Sequence, residues 1–83
     1  MQQENQKTPL QILNEVMSKN SLEGQWIITE EMPQMYRSIL YIAGVHFGSG
    51  ECVHGKKASM QKTANIILKD IRLLNLIVLR SSE

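Results

Sequence analysis

The side chains in this sequence best suited to chemistry lie mostly in its second half. Cys52 and His54 form a Cys-x-His pair, with His46 the one further obvious soft ligand. A closed zinc site takes four ligands, so one chain of this composition does not supply it. A Cys-His nucleophile pair needs an orienting group and a substrate cleft, which so short a chain with both residues near a strand end does not readily provide. GSGE at residues 48–51 lacks the Lys-Ser/Thr of a phosphate-binding loop, and no acid pair for general acid–base work appears. The expected protein is therefore no enzyme, with no metal and no cofactor. Lys56 and Lys57 are the remaining candidates, because they follow a Gly-rich segment and open an amphipathic stretch. Two lysines are ordinary surface charge in most settings. At a helix start, however, they add to the partial positive charge of exposed amides, and phosphate contact becomes the favoured reading.

The elements that must position these lysines are few. Eighty-three residues at 42% hydrophobic and 20% charged fit one small domain with a single packed core. A lone cysteine excludes an internal disulfide and suggests a reducing compartment, most simply the cytoplasm. The polar opening carries no visible secretion signal, and no apolar run approaches the roughly 18 residues of a membrane span, so no membrane partner is expected. Charge is unevenly placed. Residues 1–36 hold five glutamates against two lysines, net −3, whereas residues 37–83 hold seven bases against three acids, net +4. Such asymmetry suits an anionic partner for the second half, and a solvated helix face would look the same.

Residues 1–7 read as a flexible arm. Thr8-Pro9 starts a helix over 8–19, since the Thr hydroxyl accepts an orphan amide bond and Pro fits the first helical position. Leu10, Leu13, Val16 and Met17 form its apolar stripe, broadened by Ile12. Strands are expected at 25–29 and 36–42, with 30–35 a loop around Pro33, and a third strand begins at Val45-His46-Phe47 after the Ala43-Gly44 turn. Gly48 and Gly50 mark a bulge or flexibility near a partner. From Lys56 the period is helical again, with Ala64, Ile67, Leu68, Ile71 and Leu74 on one stripe. That second helix is expected to continue into residues 74–79, whose all-round apolarity needs cover. The fold class is α+β, ordered α-β-β-β-α, with a three-stranded antiparallel sheet and both helices on one face. The domain spans 8–79 and 80–83 is a tail.

This element order, with TPLQILNE at 8–15, GSG at 48–50 and GKKASMQKTANIIL at 55–68, resembles the double-stranded-RNA-binding domain over about residues 8–74. Lys56 and Lys57 match the family's paired lysines, and Thr63-Ala64 its pair of small residues. Ser59 stands where the pattern has alanine and Met60 where it has a further lysine. The Gly-Pro-x-His of the family's first strand loop is Met32-Pro33-Gln34-Met35 here, with Glu30 and Glu31 beside it to repel phosphate. The segment 48–56 is about one residue longer than the pattern.

The resemblance implies a partner, double-stranded RNA, read by shape. A-form RNA has a wide minor groove lined with 2′-hydroxyls and a narrow major groove edged by phosphates. The first helix and the strand loop would enter two minor grooves, and the start of the second helix would bridge the phosphates between them. The implied contacts are Gln11 and Glu15, which share a helix face at i and i+4, Pro33 and Gln34 in the loop, and Lys56 and Lys57. A Glu15 carboxylate accepts from a 2′-hydroxyl, a donor that DNA lacks. Without the resemblance, Gln11 and Glu15 would read as solvated helix residues. Trp26, Tyr41 and Phe47 read as packing residues, because a duplex exposes no free base faces. Met60 is either a gap-filler or a lost RNA contact. Stand-alone viral members of the family mask duplex RNA from the interferon-induced RNA-dependent kinase, which would be this chain's role as a bare domain. The rival expectation is a degenerate member serving as a homodimer or protein-partner module through its apolar tail.

Overall fold

A computed structural model of the chain describes residues 6–48 and 50–81. Most of the expected arm, residues 1–5, and the last two residues of the expected tail lie outside that range. The first helix, α1, spans Pro9–Lys19 with Thr8 as its N-cap. Thr8 Oγ1 accepts from the Gln11 N–H at 3.2 Å, and Gln11 Oε1 accepts from the Thr8 N–H at 2.9 Å. This reciprocal capping box satisfies two backbone donors that a helix start would otherwise leave to water. Leu13 and Met17 are buried, with Leu10 and Val16 packed beside them.

The sheet has β2 at its centre, spanning Met35–Ile42. It pairs antiparallel with β1, Gly24–Met32, on one side, and with β3, Val45–Gly48, and the short β4, Val53–His54, on the other. Alternation along β2 buries Ser38, Leu40 and Ile42 beneath the helices, while Arg37, Ile39 and Tyr41 look the other way. Ala43 and Gly44, both with positive φ, make the two-residue turn into β3, the geometry that matches the twist of adjoining strands.

Three expectations change here. The anticipated loop at 30–35 is a two-residue turn, because β1 runs through Met32 and β2 resumes at Met35. Pro33 occupies the first central position, which needs no donor. Gln34 takes φ 62 at the second, where type II turns usually place Gly or Asn. The third strand is split: four residues separate Gly48 from Val53 while only Arg37 and Ser38 separate their partners Ile39 and Tyr36. This side of the sheet thus carries two more residues than the stretch of β2 it faces, the irregularity that Gly48 and Gly50 led one to expect.

The third change concerns the last helix. The second helix, α2, spans Lys56–Leu68 and ends, and a separate α3 spans Ile71–Ser81, past the boundary expected at residue 79. Asp70 causes the break, since its Oδ1 accepts from the Arg72 N–H at 2.9 Å and so caps a new helix. The change of axis turns Ile71 and Leu74 off the stripe they share with Ile67 in a straight helix. They are 64% and 53% exposed, and Leu73 is buried instead. The core gathers Leu13, Leu40, Ile42, Phe47, Ala64 and Ile67 between α1, α2 and the sheet. Full burial of each large side chain contributes about 1.5–3 kcal/mol.

Candidate nucleic-acid interface

Lys56 and Lys57 stand exposed at the start of α2, and what fixes that start is a ladder of bonds to β2 and its turn. The Gly55 N–H donates to Gln34 O at 2.8 Å. One turn on, Ser59 Oγ donates to Tyr36 O at 3.0 Å, and a further turn on, Thr63 Oγ1 donates to Ser38 O at 3.2 Å. Ser59 Oγ also lies 2.7 Å from Ser38 Oγ. A hydroxyl carries one proton, so Ser59, having donated to Tyr36, accepts from Ser38. Ser38, Ser59 and Thr63 are all buried. Ser59, a departure from the alanine of the pattern above, is thereby matched to a serine on the facing strand.

Gly55 is the N-cap of α2 and takes φ 91, a conformation that side-chain-bearing residues rarely adopt. It offers no side chain to cap the helix, and the first main-chain bond of the helix is from the Ser59 N–H to Gly55 O at 3.0 Å. The first amides of α2 therefore lack a side-chain cap where two exposed lysines stand, an arrangement that attracts anions. Met60 is half-buried in the second turn of α2.

The turn at Pro33 and Gln34 shares this end of the sheet. Its acids are engaged. Glu30 Oε2 accepts from the Gln34 N–H at 2.8 Å, and Glu31 forms a two-pronged ion pair with Arg37, at 2.6 and 3.1 Å. The Arg37 guanidinium holds the Glu31 carboxyl below the ordinary carboxylate range. The repulsion expected from this acid pair is thus partly cancelled on the spot. Cys52 adjoins the pair, and burial together with the Glu31 charge pushes its thiol pKa up. Among the described residues, no group of three or more His, Cys, Asp or Glu could hold a metal ion.

Besides the apolar core they share, α1 and α2 are tied by a hydrogen bond: the Leu10 N–H donates to Gln61 Oε1 at 2.9 Å. Gln61 lies four residues after Lys57, on the same face of α2. Downstream, Met17 lies over Gly24, where a Cβ would come within 2.5 Å of Met17 Cε. Both helices therefore run away from the Pro33–Gln34 turn, and their starts open toward the same end of the molecule. Gln11 and Glu15 are exposed on α1. Gln11 commits its Oε1 to the cap and keeps its amide protons, and Glu15 pairs through Oε1 with Lys7 Nζ at 2.9 Å. Lys7, within the expected arm, is a neighbour of the site that periodicity gave no reason to single out. Lys62 pairs with Glu51 at 3.1 Å. Trp26 packs against the core, Phe47 is buried, and Tyr41 meets His46 edge-on at 5.4 Å on the opposite sheet face. Comparison of the chain with protein-family models, with curated proteins and with solved structures gave no match in any of the three.

Proposed function

We propose that the protein is a non-catalytic binder of double-stranded RNA, built as a double-stranded-RNA-binding domain that reads A-form shape with little sequence preference. The observation that carries this reading is the end of the molecule shared by three elements: the cationic, uncapped start of α2, the Pro33–Gln34 turn bonded to it through Gly55, and the start of α1 clasped by Gln61. In the proposed mode Lys56 and Lys57 contact phosphates across the major groove. Gln11 donates its free amide protons in one minor groove, and Glu15 accepts from a 2′-hydroxyl there. Pro33 and Gln34 enter the next minor groove, and such a footprint covers about 16 base pairs. Sequestering duplex RNA from a cellular sensor, in the cytoplasm, follows as the simplest use of a non-catalytic binder.

The test is a gel-shift comparison of a duplex RNA of about 20 base pairs with single-stranded RNA and duplex DNA at two salt concentrations. Preference for duplex RNA, with log affinity falling by several units per unit of log salt, is the expected result. Absence of binding at low salt ends the reading. One observation favours a second reading, a protein-interaction module: Ile71, Leu74 and Val78 line one side of α3 and are 64%, 53% and 56% exposed. A dimer insensitive to salt in light scattering, without RNA affinity, would support it.

A further inference from the structure

The two edges of the sheet are treated differently. On the β3 side, Arg72 lays its guanidinium 4.5 Å from the Phe47 ring centroid and donates through Nη1 to His46 O at 3.1 Å. The two-residue turn closes on Ile42 and Val45 as a hydrogen-bonded pair, so the backbone groups of His46 point away from β2. Arg72 thus occupies an acceptor on that edge, and the insertion after Gly48 interrupts the rest. Both are devices that blunt an edge.

The β1 edge has neither. Gly24 to Glu30 pair with β2 in continuous register, without bulge, proline or lysine, and the irregularity comes only between Glu30 and Met32. The Ala43 N–H donates to Glu23 O at 3.2 Å, which fixes the parity: residues 23, 25, 27 and 29 bond inward to the neighbouring chain segment. The N–H and C=O groups of Trp26 and Ile28 therefore face outward, and among the described residues no backbone bond reaches them. Glutamates bracket this segment, Glu23 at one end and Glu30 at the other, and no lysine or arginine lies between Asn20 and Tyr36.

We infer that the β1 edge is a docking strand for an extended, basic-ended segment of a partner protein, which adds to the sheet antiparallel to β1 beside Trp26 and Ile28. Main-chain bonds to a seven-residue edge supply affinity, and the bracketing acids select cations at both ends of the incoming strand. A second copy is the poorer occupant. Its own edge, residues 23–31, brings no lysine or arginine to meet these acids.

The experiment is amide NMR on the full chain with a blocked synthetic peptide, Lys-Thr-Val-Thr-Val-Thr-Val-Lys, as probe, whose eight residues set a lysine across from both Glu23 and Glu30. The expected result is a shift of the Trp26 and Ile28 amides and at least ten-fold slower hydrogen exchange at saturation. A glutamate-ended peptide should bind at least ten-fold more weakly, and the double variant Glu23→Lys/Glu30→Lys should invert that preference. No change at these amides in millimolar peptide, equal binding of the two peptides, or concentration-dependent protection of the same amides in the chain alone would each overturn the inference. None of these outcomes depends on RNA binding.

Discussion

The two ends of α2 are held by different physics. Its start is positioned by hydrogen bonds in a buried polar layer, Ser59 and Thr63 reaching the carbonyls of Tyr36 and Ser38, with Gly55 reaching that of Gln34. Its end gives way to α3 through the Asp70 cap, and α3 is held by burial of Leu73 and by Arg72 over Phe47. Hydrogen bonds are directional and fix a backbone to within tenths of an ångström, whereas apolar burial is tolerant of small shifts. The comparison teaches that precision has been placed beneath Lys56 and Lys57, and adhesion beneath the apolar helix.

The largest effect should come from stripping the polar end of charge. Lys56→Ala with Lys57→Ala should weaken duplex RNA binding on the order of a hundred-fold and reduce the salt slope by about two. The melting temperature should hardly move, because both residues are exposed. At the opposite end, Arg72→Ala removes the cation over Phe47 and the bond to His46 O, and should lower the midpoint of denaturant unfolding measurably. Hydrogen exchange should then quicken in α3 and leave the start of α2 protected; equal quickening at both ends would abolish the distinction between them.

Smaller effects sharpen it. Ser59→Ala leaves the Ser38 hydroxyl buried without its acceptor and should cost about 1–2 kcal/mol. The double variant Ser38→Ala/Ser59→Ala should cost less than the two single changes together. Gln34→Gly relieves a left-handed residue in the turn and should stabilise by up to about 1 kcal/mol, read as a rise in melting temperature. Acid should act weakly on both regions. Glu31 is held below its ordinary range by Arg37, and Asp70 by the Arg72 side chain and then its backbone N–H. Carboxylates with lowered folded values stabilise at neutral pH, and that contribution fades as pH falls from about 4 through those values. Asp70→Asn should flatten part of this acid dependence in a pH series of unfolding curves.

Much of this was legible in the residues. Thr8, Pro9 and Gln11 announce the start of α1, and the apolar spacing of Leu13 and Met17 names its buried face, because capping and periodicity are local. The Pro33–Gln34 turn was hidden because no glycine or asparagine marks its left-handed position. The break before α3 had a signal, an aspartate two residues after Leu68, but the apolar stripe on both sides suggested one continuous helix. Ser38 and Ser59 could not be paired from sequence at all, since their meeting depends on how α2 lies across β2. The same is true of Gln61, which looks like a surface residue until Leu10 is found against it.

That last contact reaches further than its size. The Leu10 amide is one of the donors every helix start leaves over, and here a neighbouring helix answers it in place of solvent. A slide of α1 by even one residue, about 1.5 Å, would withdraw the donor from its acceptor. The molecule consequently carries a built-in gauge: at this point the register of α1 along α2 is read by the reach of one glutamine, and a shorter asparagine at position 61 would recalibrate it.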